Sequence, residues 1–206
     1  YPFLLAYPLE GEVKELGLRE EFQAESKWDG IRGQLIRRGG ETFIWSRGEE
    51  LVTAKYPEIA AQTARLPDGT VLDGEILPWK NGAPLPFGEL QRRIGRKRIG
   101  TKLLETGPVI FRAYDLMELN GNDIRSQPLS LRRKALAEVL GPLAGGALEL
   151  SPEVTAPTWD ALAELRGEAR KRGVEGLLLK RSNSTYGVGR KRGDWWKWKV
   201  DPLTMD

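Results

Sequence analysis

Alternation of apolar and polar residues marks the first clear element. Over Glu21-Phe22-Gln23-Ala24-Glu25-Ser26-Lys27 every second side chain is apolar or small, the period of a strand with one covered face, which places Lys27 at its end. Gly33–Arg38 and Thr42–Trp45, joined around Gly39-Gly40, read as a hairpin. The spacing turns helical over Tyr56–Leu66, with Ile59, Ala60 and Thr63 inward and a stop at Pro67-Asp68-Gly69. Val71–Leu77 is a strand that Pro78 is expected to end. Pro86–Ile94 is expected to be a short helix held by Phe87, Leu90 and Ile94, with Arg92, Arg93 and Arg96 on its other side. Val109–Leu116 is a strongly apolar strand. Ser130 is expected to cap a helix reaching Leu140, with Leu131, Ala135, Leu136 and Val139 inward. Thr158 caps another that runs to about Arg172 and ends at Gly173, and Gly176–Lys180 and Trp195–Val200 are the last strands. Antiparallel hairpins with peripheral helices, without regular strand–helix alternation, predict an α+β fold. Gly187-Val188-Gly189 lacks the third glycine and the following helix of a dinucleotide-binding unit.

Composition narrows the class. With 206 residues, 40% of them hydrophobic, the chain can bury a core as one domain. No apolar run approaches the roughly 18–20 residues that cross a bilayer, and no secretory signal opens the chain. The absence of cysteine fits a reducing, cytoplasmic setting. Because it opens at Tyr1 rather than Met, the chain is expected to be a piece of something longer. The net charge of +3 conceals two basic clusters, one of Arg92, Arg93, Arg96, Lys97 and Arg98 with Lys102, the other of Arg190-Lys191-Arg192 with Lys197 and Lys199. Such clusters are the footprint of a polyanion partner, and equally the pattern of a solvated helix face or loop.

The chain has neither His nor Cys. That excludes Ser-His-Asp and Cys-His catalysis, the usual zinc ligand sets and any disulfide framework. Covalent chemistry then falls to Lys, Ser, Thr, Tyr or a carboxylate. One lysine stands out, in Lys27-Trp28-Asp29-Gly30-Ile31-Arg32. A lysine nucleophile must be neutral to attack, which desolvation or nearby positive charge promotes. Alone, the cassette is also an ordinary way to enter a hairpin.

Further elements follow it in order: Ser46-Arg47-Gly48-Glu49, Leu72-Asp73-Gly74-Glu75-Ile76, Ala113-Tyr114-Asp115-Leu116 with Leu119-Asn120-Gly121, Val174-Glu175-Gly176-Leu177-Leu178-Leu179-Lys180, and Trp195-Trp196-Lys197-Trp198-Lys199. Together they resemble the covalent nucleotidyltransferases, and within these the adenylation domain of bacterial-type ATP-dependent DNA ligases, from about Leu4 to Val200.

The resemblance implies two antiparallel sheets flanked by helices with a nucleotide cleft between them, and assigns roles residue by residue. Lys27 would attack the α-phosphorus of ATP to give lysyl-AMP, with Asp29 counted in the catalytic signature. Lys197 and Lys199, which alternate along a strand and so share a face, would address the phosphate. Glu175 and Glu75 would serve Mg²⁺ (or Mn²⁺), and Glu75 also the ribose. Glu25 would meet the adenine amino edge, Arg32 the ribose and Tyr114 the ring face, while Lys180 would approach the AMP phosphate. Arg47 would contact the 5′-phosphate of nicked double-stranded DNA, beside the basic segment Arg92–Arg98. A cytoplasmic, nucleoid-associated monomer acting in DNA repair, replication or recombination is the implied setting, with an OB-fold domain and a DNA-binding domain lying outside the chain. An RNA ligase or capping guanylyltransferase is the nearest rival, and a non-catalytic nucleic-acid-binding module is the alternative from another class.

Overall fold

A computed structural model describes residues 1–96, 99–143 and 145–200. The chain forms two compact units: an inserted unit of Tyr1 and Gly30–Ser151, and a flanking unit of Pro2–Asp29 and Pro152–Asp206. The α+β expectation holds.

In the inserted unit the sheet runs Leu148–Leu150, Val109–Leu119, Thr70–Lys80, Ile31–Arg38, Glu41–Ser46. Its pairs are antiparallel except for Leu148–Leu150, which lies parallel to its neighbour. Alternate side chains enter the core. Leu35, Ile44, Leu72, Ile76 and Phe111 are fully buried there, with Ile59 and Leu136 from the helices Pro57–Thr63 and Leu129–Leu140. On the other face a charged row crosses the sheet, because the register sets Arg32 opposite Glu75, Glu75 opposite Arg112, and Arg112 opposite Glu149. Gly74 admits the core packing, since a Cβ there would lie 2.4 Å from the Phe111 ring and 2.5 Å from the Arg112 carbonyl. Pairing passes from Gly74–Ala113 to Asp73–Asp115, which leaves Tyr114 as the extra residue of a bulge. A bulge re-aims the side chain it carries.

The flanking unit has a second sheet, ordered Tyr7–Pro8, Trp195–Lys199, Gly176–Arg181, Phe22–Ser26. The last three strands are antiparallel and Tyr7–Pro8 is parallel to its neighbour. One face is apolar, with Phe22, Ala24, Leu177, Leu179 and Trp196 packed on Trp159 and Leu162 of the helix Trp159–Gly167. The register puts Gln23, Glu25, Leu178, Lys180, Trp195, Lys197 and Lys199 on the other.

Several local expectations change. The Thr70–Lys80 strand runs through Pro78, which still pairs with Val109, because the hydrogen bond is carried by the next residue, Trp79 N to Pro108 O at 2.9 Å. The chain reverses only at Asn81-Gly82, with φ of 52° and 79°, a turn of positive φ at both centres. The helix Leu129–Leu140 starts before Ser130, which is exposed, and buries Arg132 and Arg133 in place of Leu131. Thr158 does cap its helix, accepting from Ala161 N at 3.2 Å. Among the described residues no helix is long and apolar enough to cross a membrane.

Candidate active site

Three strand ends of the flanking sheet converge on Glu175. Lys27 N donates to Gly176 O at 2.9 Å, Glu175 N to Lys27 O at 2.8 Å, and Val200 N to Glu175 O at 3.1 Å, so the Glu175 backbone is held from both sides. Gly176 makes the approach possible: its φ is +139°, and a Cβ would sit 2.3 Å from the Trp198 carbonyl. At this junction the Lys27 ammonium donates to Glu175 Oε2, and Lys199 Nζ lies 3.3 Å from the same oxygen. Lys197 stands on the same face of the adjoining strand. The cluster is open, with side-chain exposures of 21%, 33% and 50% for Lys27, Glu175 and Lys199. Burial pushes the Glu175 carboxyl up, but Lys27 and then Lys199 outweigh it and hold the group below its ordinary value of 4.5. Asp29 lies exposed two residues beyond Lys27.

An ionised, partly open carboxylate is a hard-oxygen donor. Mg²⁺ is commonly held by one or two carboxylates together with substrate phosphates and water, so Glu175 fits that use. Among the described residues no three His, Cys, Asp or Glu gather into a metal cage of their own. Glu75 lies half-buried between Arg32 and Arg112 in the charged row of the inserted sheet.

Glu25 and Lys180 behave differently. Lys180 Nζ donates to both Glu25 oxygens at 3.0 and 3.1 Å, Gln23 Nε2 donates to Oε1 at 2.5 Å, and the Trp195 ring lies 4.3 Å from the ammonium. Both charged side chains are 0% exposed. Lys180, expected to approach the AMP phosphate, has its ammonium paired with Glu25 inside the sheet.

On the inserted unit Arg32 grips Asp73 through two bonds, Nε–Oδ1 at 3.1 Å and Nη2–Oδ2 at 2.7 Å, and its guanidinium lies 5.8 Å from the Tyr114 ring. Tyr114 is buried. Arg47 is exposed, and its backbone N donates to Arg32 O at 2.8 Å. Behind the bulge Asp115 is buried with Arg132, which donates to it at 2.8 and 2.9 Å. Asp73, Gln23 and Arg132 were not singled out in the sequence. Strand period alone puts Asp73 on the face of Glu75, whereas nothing local signals Arg132.

The basic segment divides. Arg93 is fully buried, donating to Gly107 O at 2.6 Å and Lys55 O at 3.2 Å and pairing with Glu58 at 2.7 Å. It is an internal anchor of the helix Gly88–Ile94, and Ile94, expected inside, is 43% exposed. The assignment of Arg93 to DNA is thus overturned, since no DNA phosphate reaches a guanidinium enclosed by its own chain. Arg92, paired with Glu89 at 2.6 Å, and Arg96 remain exposed; Lys97 and Arg98 lie outside the described residues.

The family model described as the ATP dependent DNA ligase domain matches residues 4–199. The chain belongs to this family. A probable DNA ligase of Koribacter versatilis is 31% identical over 225 residues, covering 99% of the chain and 39% of the relative. One of Anaeromyxobacter sp. is 37% identical over 198 residues, covering 95% and 37%. A mycobacterial DNA ligase D, solved with ATP and MES, is 31% identical with a TM-score of 0.73, over 96% of this chain and 60% of that one. The Chlorella virus DNA ligase-adenylate, at 18% identity and a TM-score of 0.69 over 97% and 69%, shares the fold. The chain thus spans well under half the length of these two curated ligases.

Proposed function

We propose that this ligase-family chain carries the nucleotidyl-transfer chemistry of an ATP-dependent DNA ligase. Lys27 Nζ attacks the α-phosphorus of ATP. The N–P bond forms as the bond to the β-phosphate oxygen breaks, pyrophosphate leaves and lysyl-AMP remains. AMP then passes to the 5′-phosphate of a DNA nick, and the 3′-hydroxyl displaces it to seal the strand. The observation that carries this reading is the junction of Lys27, Glu175 and Lys199 at three strand ends, in a chain whose family match spans residues 4–199.

Each residue has a physical part. Lys199 and Lys197 offer fixed positive charge where the reaction concentrates negative charge. Glu175 would hold Mg²⁺ or Mn²⁺, which when bound supplies Lewis-acid neutralisation of phosphate oxygens. Ribose and base recognition are assigned, on the resemblance, to Arg32, Glu75 and Tyr114, and the 5′-phosphate to Arg47. Arg92 and Arg96 would track the DNA backbone without reading bases. The test is covalent labelling with α-labelled ATP and Mg²⁺. An acid-labile adduct is expected on the wild-type chain, with a loss of roughly 1,000-fold or more in Lys27→Ala. Undiminished label in that variant would place the nucleophile elsewhere.

A further inference from the structure

We propose that Asn81 is a site of spontaneous deamidation and isoaspartate formation, and that Asn120, in the same dipeptide and the same kind of turn, is shielded from it by Gly69. The inference is independent of the ligase chemistry. Both Asn-Gly pairs sit exposed at the tips of short hairpins in the inserted unit. One hairpin pairs Trp79 with Pro84 and Lys80 with Ala83, the other Glu118 with Asp123 and Leu119 with Asn122. Their backbones match, with φ of 52° and 79° at Asn81-Gly82 and of 51° and 77° at Asn120-Gly121. What differs is the surroundings of each turn.

Deamidation is an intramolecular substitution. The backbone nitrogen of the following residue attacks the asparagine Cγ, the new N–C bond forms as the bond to the side-chain nitrogen breaks, and ammonia leaves with the proton that the backbone nitrogen gives up. Water then opens the cyclic imide at either carbonyl. The product is aspartate, or isoaspartate with the main chain rerouted through the side chain. Glycine in the second place favours attack, because its backbone turns easily and no Cβ hinders its nitrogen. The fold must supply a nitrogen free to lose its proton and a turn free to rotate.

Gly82 meets the first condition, since among the described residues no acceptor takes its N–H. Gly121 does not: its N–H donates to Gly69 O at 2.9 Å. The two turns there press together so closely that a Cβ on Gly69 would lie 2.3 Å from Gly121 N and 2.8 Å from its Cα. Gly69 is itself fixed. Its N donates to Arg37 O at 2.8 Å, and the adjoining Asp68 accepts from Gly39 N and Gly40 N at 3.1 and 3.0 Å. The Asn120 turn is thus held against a second hairpin, while the Asn81 turn stands alone. Conversion of Asn81 places a negative charge beside Lys80 and lengthens a tight turn whose length sets the strand register.

The test holds the folded chain for days at mildly alkaline pH, then maps its peptides by mass spectrometry and counts isoaspartate by isoaspartyl methyltransferase labelling. Asn81 should convert, and Asn120 on the order of tenfold more slowly, the worth of a hydrogen bond that must open first. In urea the two sites should react at similar rates. Gly69→Ala introduces a Cβ that has no room against Gly121, at a φ of +71° that alanine rarely adopts. It should raise conversion at Asn120 to the Asn81 rate and leave Asn81 unchanged. If that variant does not fold, amide hydrogen exchange in the wild-type chain decides, with Gly121 protected on the order of tenfold more than Gly82.

Equal rates at the two sites in the folded chain would overturn the proposal, as would a gap between them that persists in urea. An Asn81 that survives in the folded chain but converts in urea would also sink it. So would an Asn120 indifferent to Gly69→Ala, or equal exchange at the two glycines.

Discussion

Lys27–Glu175 and Lys180–Glu25 join the same two residue types across one sheet, yet the first pair is 21% and 33% exposed and the second 0% in both partners. The open pair shares its carboxylate with Lys199 and stands where three strands end; the closed pair sits deeper along the same strands, enclosed by Gln23 and Trp195. Burial separates their uses. In the interior a lone charge is costly, so neither Lys180 nor Glu25 leaves its partner. At the open end water reaches both groups, so neither partner is bound to keep the other.

The contrast is broken most forcefully by stability measurements. Lys180→Met should destabilise the chain by about 3–5 kcal/mol in urea denaturation, because it strands a buried carboxylate. Lys27→Met should change stability by about 1 kcal/mol or less, the range of exposed pairs. Equal costs would mean that both pairs are scaffold.

Activity sharpens the other side. Glu175→Gln keeps shape and hydrogen bonding but removes the charge that would draw a divalent ion, so adenylation should fall on the order of 100-fold. ATP affinity without metal should stay within about threefold of wild type. Parallel losses in the two assays would make Glu175 a nucleotide or folding residue.

The basic segment poses the same question in the inserted unit. Replacing exposed Arg92 and Arg96 together should reduce the salt slope of nicked-DNA binding by up to about two units while leaving lysine adenylation intact. Arg93→Ala should instead lower the unfolding midpoint, since it removes the partner of Glu58 and of two carbonyls. An unaltered salt slope would return Arg92 and Arg96 to an ordinary solvated surface.

The smallest effect concerns pH. Glu175, held below its ordinary 4.5, contributes stability that is present above that value and is lost as pH falls through the depressed one. From pH 8 to 6 the Lys27→Ala and wild-type chains should therefore keep a constant stability difference by thermal melts, and the gap should change only in acid. A change near neutrality would show that another group controls the junction.

Much of this was readable beforehand. Strand alternation put Lys27 at a strand end and Lys197 and Lys199 on one face, and the Thr158 cap follows from local chemistry. Failures came where a partner distant in the chain decides a side chain's fate. Arg93 looks like a member of a basic surface until Glu58, Lys55 O and Gly107 O enclose it, and Lys180 carries no local sign of its pairing with Glu25, 155 residues away. Helix amphipathicity also misled at Leu131 and Ile94, because buried arginines took the inward positions that apolar residues were expected to fill.

The flanking unit is discontinuous in sequence, and this has a consequence for how the protein comes into being. Lys27 and Glu175 are separated by 148 residues, and Lys199 comes later still. During synthesis Gly30–Ser151 can collapse around its own core first, whereas the sheet that holds the junction requires the ends of that long segment to be brought together, an entropic cost that delays non-local strands. The nascent chain thus lacks the junction of Lys27, Glu175 and Lys199 until Trp195–Lys199 docks beside Gly176–Arg181, so the cluster is a late product of folding rather than a property of the Lys27 cassette itself.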